Sequence, residues 1–279
     1  MSKVDKKKEE IELNKIYNES CLDTLRKMSN NSVDIVITSP PYNMNLRIRN
    51  GQYCSRQIVK ELSTKYANFD DNMPIEEYYE HHLTVLKELL RVSKIVFYNI
   101  QIVTGSKRPI FKIMGELNEF LKDIVIWDKG HGQPAMAERV LNRRTELILI
   151  FDKENAISRQ FENANFKRGT LDDIWMIKRG KKVSTEHGAV FPEELVYTIL
   201  NNFSNGKNNY KLYIPLNLFF NLVSKSSIVI VLLFLSSSNI NFICFFLTLY
   251  DIGFLLCRLI SFSSSYLLVH LNKFPENRY

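Results

Sequence analysis

Ser39, Pro40, Pro41 and Tyr42 are the residues whose types and spacing point most directly to chemistry. The run Asp34-Ile35-Val36-Ile37-Thr38 before them predicts a buried strand. That strand must stop at the prolines, because neither can donate a ladder hydrogen bond and each fixes its own φ. The Ser39 hydroxyl and the Pro40 carbonyl are then held at a strand's C-terminal edge, with the Tyr42 ring beside them. Two oxygen acceptors and one aromatic face suit a planar group that carries an amine. Pro-Pro after a strand is also a common plain turn, so the strand in front and the flanking Ser39 and Asn43 carry the argument.

Other reactive groupings are sparse. Cys21, Cys54, Cys244 and Cys257 have no metal-type spacing, so reduced thiols and no metal site are expected. The formal charge is +7 over 279 residues, which would suit a polyanionic partner. Residues 207–279 hold six Lys or Arg against two acids, so +7 less +4 leaves only +3 on the first 206. Nucleic-acid binding must therefore rest on local patches. Three segments offer them: 44–74, with Arg47 and Arg49; 129–144, with Lys129, Arg139, Arg143 and Arg144; and 152–182.

The elements that must position these groups alternate. A strand is expected over 11–17, a short helix over 21–28, a strand over 33–37, a polar loop over roughly 44–74 and a helix from Pro74 to Arg91. Strands follow at 95–98, 124–127 and 147–151, with a helix over 107–121 and another from Pro192 to Phe203. Such alternation predicts a doubly wound α/β sheet, whose ligands sit outside the C-terminal strand ends, where Ser39 and Tyr42 fall.

Ser39-Pro40-Pro41-Tyr42 resembles the catalytic motif of the DNA amino-methyltransferases, which use S-adenosylmethionine on cytosine N4 or adenine N6. Further segments resemble that family's β-type order: Ile16–Leu22 (with Glu19-Ser20 where the family has Gly-Asp), Leu86–Val92, Ile126–Lys129, Arg143–Leu149 and Glu186–Leu195. The resemblance implies a Rossmann-like methyltransferase fold, double-stranded DNA as partner and restriction-modification as context. It also implies residue roles. Ser39 and Pro40 would orient the target amine, Pro41 hold the turn, and Tyr42 stack on a flipped base. Ser20, His187, Phe191 and Pro192 would meet S-adenosylmethionine, and Arg47, Arg49, Lys129, Arg139, Arg143 and Arg144 would meet DNA. The Ser form of the motif leans toward cytosine N4, with adenine N6 open.

The resemblance covers residues 11–204, behind a charged tail at 1–10, and stops where a strand ending in Asp-Pro-Phe and a Gly-x-Gly turn should follow. From Lys207 onward the only glycine is Gly253, and Leu, Ile, Phe, Ser and Asn dominate. The sheet is therefore expected to be incomplete, with an aberrant hydrophobic tail over 205–279. The composition of that tail favours an out-of-frame product of an A/T-rich gene. The other reading is a membrane segment within 212–270, because Ser226 to Tyr250 carries no charge over 25 residues. The expected protein is a cytoplasmic DNA methyltransferase. The alternatives are an inactive DNA-binding remnant or a tail-anchored membrane protein.

Overall fold

Strand β2 (Val33–Thr38) runs through the middle of an eight-stranded sheet. Val33, Ile35, Val36, Ile37 and Thr38 are all buried, as a central strand covered on both faces requires. In this computed structural model the described residues are 11, 15–55, 71–133, 135, 138–162, 164–180, 191–204, 211–215 and 228–233. β2 pairs in parallel with β5 (Ser93–Ile100), Thr38 lying opposite Tyr98. Beyond β5 come β7 (Arg143–Asp152) and β6 (Leu121–Gln133), each antiparallel to the strand before it, and then β8 (Ile174–Met176), parallel to β6. On the other side of β2 lie β9 (Lys211–Pro215), parallel to it, and then β10 (Ile228–Leu233) and β1 (Lys15–Asn18), each antiparallel to its inner neighbour. A separate hairpin joins β3 (Leu46–Arg49) to β4 (Gln52–Ser55).

Helices cover both faces, as a doubly wound α/β fold requires. On one face α1 (Cys21–Lys27), α2 (Ile75–Val92) and α3 (Lys107–Glu116) bring Leu25, Leu86, Leu89 and Ile110 against Val36, Val96, Tyr98 and Phe151. On the other, α4 (Glu193–Phe203) brings Leu195, Ile199 and Phe203 against Ile35, Phe97, Ile148 and Ile150. Adjacent strand residues thus feed opposite cores, the period-2 rule of a pleated strand. Burying a leucine such as Leu86 contributes about 1.5–3 kcal/mol. Arg91, in the last turn of α2, donates to the Leu25 and Met28 carbonyls at 2.6 and 2.9 Å, satisfying acceptors at the end of α1.

Several boundaries differ from expectation. The polar segment after Tyr42 contains the β3–β4 hairpin, because Asn50 and Gly51, at φ 51° and 76°, supply the two left-handed residues a tight turn needs. Helix α3 ends at Glu116, where Leu117 leaves helical geometry, and not near residue 121, which already belongs to β6. β8 forms inside the segment 152–182 offered as a basic patch, with Trp175 buried in the second core. A strand, β9, does follow residue 204 and aligns with β2, but it ends at Ile214-Pro215 and not in Asp-Pro-Phe.

Among the described residues no helix is long and apolar enough to cross a membrane. Ile228–Leu233, within the uncharged run, is a strand of this sheet; residues 234–250 lie outside the described residues.

Candidate active site

Three strands bring the site together at one edge of the sheet. β2 and β5 are parallel, so their last residues end side by side, while β7 runs the other way and presents its early residues there. Ser39 follows β2, Asn99 is the penultimate residue of β5, and Glu146 is the fourth residue of β7.

Their polar groups form one network. The Ser39 and Tyr42 hydroxyls are 2.8 Å apart, and the Tyr42 hydroxyl donates to Glu146 Oε2 at 2.6 Å. Asn99 Nδ2 lies 2.7 Å from the same carboxylate oxygen, 2.8 Å from the Tyr42 hydroxyl and 3.2 Å from Ser39 Oγ. Lys129 donates to Glu146 Oε1 at 2.7 Å. Asn99 is 2% exposed, Lys129 5% and Glu146 8%, so the ion pair sits below the site and not on its surface. Burial pulls the Lys129 ammonium below the usual lysine range, and Glu146 opposes that shift. Ser39 and Tyr42 are half-buried and reachable from outside.

The turn after the motif is held from three directions. Tyr78 donates to the Pro41 carbonyl at 2.8 Å. The Asp71 carboxylate accepts the backbone N–H groups of Asn43 and Met44 at 2.7 and 2.9 Å. Asn43 sits at φ 58°, a left-handed conformation that asparagine tolerates better than most residues. Gly105 passes so close that an added Cβ would lie 2.8 Å from Asn43 Cβ and overlap its carbonyl oxygen. Among the described residues, no hydrogen bond reaches the Pro40 carbonyl.

The remaining expected site residues fall in several places. Arg47 and Arg49 are exposed on β3, and Arg139 and Arg143 are exposed near the start of β7. Arg144 is engaged by Asp128, whose carboxylate accepts its Nε at 2.5 Å; that guanidinium holds the Asp128 carboxyl below its usual range. Lys129 differs most from expectation: its ammonium is buried on Glu146, a setting unlike that of a surface phosphate contact. Ser20 precedes α1, where its carbonyl accepts the Asp23 and Thr24 amides at 3.0 and 3.2 Å. Phe191 is half-buried with its ring centroid 6.5 Å from that of Trp127, and Pro192 is buried at the start of α4. His187 lies outside the described residues.

Asn99 and Glu146 carry the network but were not singled out in the sequence. One signal was available for Glu146: it is a lone acid directly before the apolar run Leu147–Phe151, where a carboxylate must find a partner. Among the described residues no cluster of side chains could hold a metal ion. Neither Cys21 nor Cys54 is in a disulfide, and burial pushes the Cys21 thiol up to about 12.

A family model described as DNA methylase matches residues 33–210. The type II methyltransferase M.BglII of Bacillus subtilis is 26% identical over 223 residues, which cover 67% of this chain and 56% of that protein. M2.MboI of Moraxella bovis is 21% identical over 170 residues, covering 58% of this chain and 59% of that protein. The chain thus spans somewhat over half the length of these two relatives. The solved PvuII DNA methyltransferase, cytosine-N4-specific, matches with a TM-score of 0.50 at 13% identity, over 71% of this chain and 72% of that one. At that identity the likeness is one of fold.

Proposed function

The chain belongs to the DNA methylase family, and from that premise we propose that residues 11–204 are the catalytic and target-recognising part of an amino-methylating DNA methyltransferase. The substrate is an exocyclic amine, cytosine N4 or adenine N6, on a base flipped out of double-stranded DNA. The observation that carries this reading is the Ser39–Tyr42–Asn99–Glu146 network, which fixes an accessible hydroxyl at the C-terminal strand edge beside a half-buried aromatic ring.

Methyl transfer to an aromatic amine needs little acid or base strength from the protein. The nitrogen lone pair is delocalised into the ring, so the site must draw the amine toward tetrahedral geometry by accepting its N–H bonds and hold it in line with the methyl donor. Ser39 Oγ and the Pro40 carbonyl are the two acceptors, and Tyr42 supplies a face for the base. The exposed Arg47, Arg49, Arg139 and Arg143 are the candidates for phosphate contact.

S-adenosylmethionine, when bound, would supply the electrophilic methyl group. The fit of the described residues to it is partial. Phe191, beside Trp127 and preceding the buried Pro192, offers an apolar face, and Ser20 lies before α1. No glycine occurs between Lys207 and Ile252, so β9 is not followed by the glycine turn that close backbone approach to a cofactor favours. That observation favours a second reading, in which the chain lacks the cofactor turn after β9 and is a catalytically silent DNA-binding form. The cytoplasm, where DNA is accessible, is the proposed location.

Incubation of the full chain with labelled S-adenosylmethionine and DNA separates the two readings. Competence predicts label in N4-methylcytosine or N6-methyladenine. No incorporation at any cofactor concentration overturns competence. Salt-dependent DNA binding, with no cofactor heat in calorimetry, would then mark the silent form.

A further inference from the structure

We infer that Glu146, ion-paired to Lys129, sets the hydrogen-bond polarity of the site so that Ser39 presents a lone pair outward, making the pocket selective for amino-bearing over keto-bearing bases. The inference rests on the proposed amine-binding role of Ser39 and adds a residue that determines specificity.

Each proton of the network has one place to go. A carboxylate only accepts hydrogen bonds, and Lys129 holds Glu146 Oε1 at 2.7 Å, so Oε2 must receive donors. It receives two: the Tyr42 hydroxyl at 2.6 Å and Asn99 Nδ2 at 2.7 Å. The single Tyr42 proton is thereby committed. Across the 2.8 Å contact between the two hydroxyls, where either oxygen could have been the donor, Ser39 must donate to Tyr42. Asn99 is fixed too, since its amide nitrogen and not its oxygen has to face the carboxylate. That nitrogen has two protons, one for Glu146 Oε2 and one for the Tyr42 hydroxyl at 2.8 Å, so its longer 3.2 Å approach to Ser39 Oγ takes up no Ser39 lone pair.

Ser39 is left with no proton to offer and only lone pairs to present. Its half-buried hydroxyl can accept an N–H from cytosine N4 or adenine N6. Opposite the carbonyl of uracil or hypoxanthine it sets oxygen against oxygen. The donors of the network run toward Glu146, so one buried charge pair decides what the half-buried Ser39 hydroxyl can recognise.

Glu146→Gln reverses this polarity with almost no change of shape. Lys129 requires an acceptor, so the Gln oxygen turns to Lys129 and its amide nitrogen faces Tyr42 and Asn99, whose own amide turns to offer its oxygen. The Tyr42 proton is then released toward Ser39, and the Ser39 proton can point outward. Glu146 is thus a positioning residue acting through Tyr42. Tyr42→Phe interrupts the same chain without touching the ion pair.

The test measures binding by fluorescence anisotropy of the full chain to abasic oligonucleotides of one length that carry a single cytosine, uracil, adenine or hypoxanthine. Phosphate contributions cancel within each pair of ratios. The wild type is expected to prefer cytosine over uracil, or adenine over hypoxanthine, by about 10-fold, the cost of one mismatched polar contact. Glu146→Gln should erase or invert that ratio, and Tyr42→Phe should erase it; if Glu146→Gln does not fold, Tyr42→Phe decides. An unchanged ratio in either folded variant overturns the inference while leaving the proposed function in place. No preference in the wild type overturns the amine-binding reading of Ser39 and the inference with it.

Discussion

The Tyr42 hydroxyl donates to the Glu146 carboxylate at 2.6 Å, joining residues 104 positions apart in the chain. This bond ties the motif after β2 to the antiparallel strand β7. It makes the site depend on an ion pair whose side chains are only 3% and 9% exposed.

Removing one member of that pair strands the other. Glu146→Ala should lower unfolding stability by about 3–5 kcal/mol, since it leaves a buried ammonium without its counter-charge. Replacing both, as Lys129→Met with Glu146→Leu, should recover part of that loss, the Tyr42 and Asn99 donors still lacking their carboxylate. Urea denaturation measures both; a single-variant cost below about 1 kcal/mol would show that the pair is solvated and not buried.

His82 predicts a pH dependence. Its ring is fully buried, stacked on Tyr78 with centroids 4.0 Å apart, with Nδ1 on the Tyr98 hydroxyl and His81 alongside. Burial holds it well below the ordinary value of 6.5, and His81 adds to the shift. The unfolded chain protonates near 6.5 while the folded one does not, so the unfolded state binds more protons. Stability should therefore be lost as pH falls below about 6.5, by up to about 1.4 kcal/mol per unit. His82→Gln should flatten the limb between about pH 6.5 and 5, above the carboxylate range. Equal slopes in the two proteins would assign that limb elsewhere.

Asp71 predicts local loosening of the motif. Asp71→Ala deprives the Asn43 and Met44 amides of their acceptors. About 1–3 kcal/mol of local stability should go with each amide that stays buried. Hydrogen exchange should accelerate at Asn43 and Met44 more than at Val36 or Val96; uniform acceleration would mean a global effect.

Gly105→Ala tests the close approach. The added methyl overlaps the Asn43 carbonyl oxygen, a backbone atom that cannot swing aside, and should cost about 1–3 kcal/mol. Thermal melting checks this: an unchanged midpoint would show that the turn has room to shift.

Legibility varied with the range of the interactions involved. β2, α2 and α4 were readable because buried residues at strand or helix spacing announce themselves locally, and Ser39–Tyr42 because two prolines break a strand visibly. The β3–β4 hairpin was hidden in a polar loop, although Asn50-Gly51 marks its turn. Lys129 was counted among the surface cations because sequence records charge but not depth.

Read alone, the amino-acid sequence specifies a rigid Ser-Pro-Pro-Tyr corner at a strand end, the order of alternating elements and the family they belong to. Those properties rest on local sterics, on periodicity and on a short run of neighbouring residues. What surrounds that corner depends on long-range strand pairing. β7 returns antiparallel beside β5, so Glu146 arrives under Tyr42 with Lys129 and Asn99 around it. Asp71, 28 residues beyond Asn43, closes the turn. Which side chains meet across such separations depends on strand direction and register. Hydrogen-bond polarity depends in turn on every partner in the network, and no single segment contains them all.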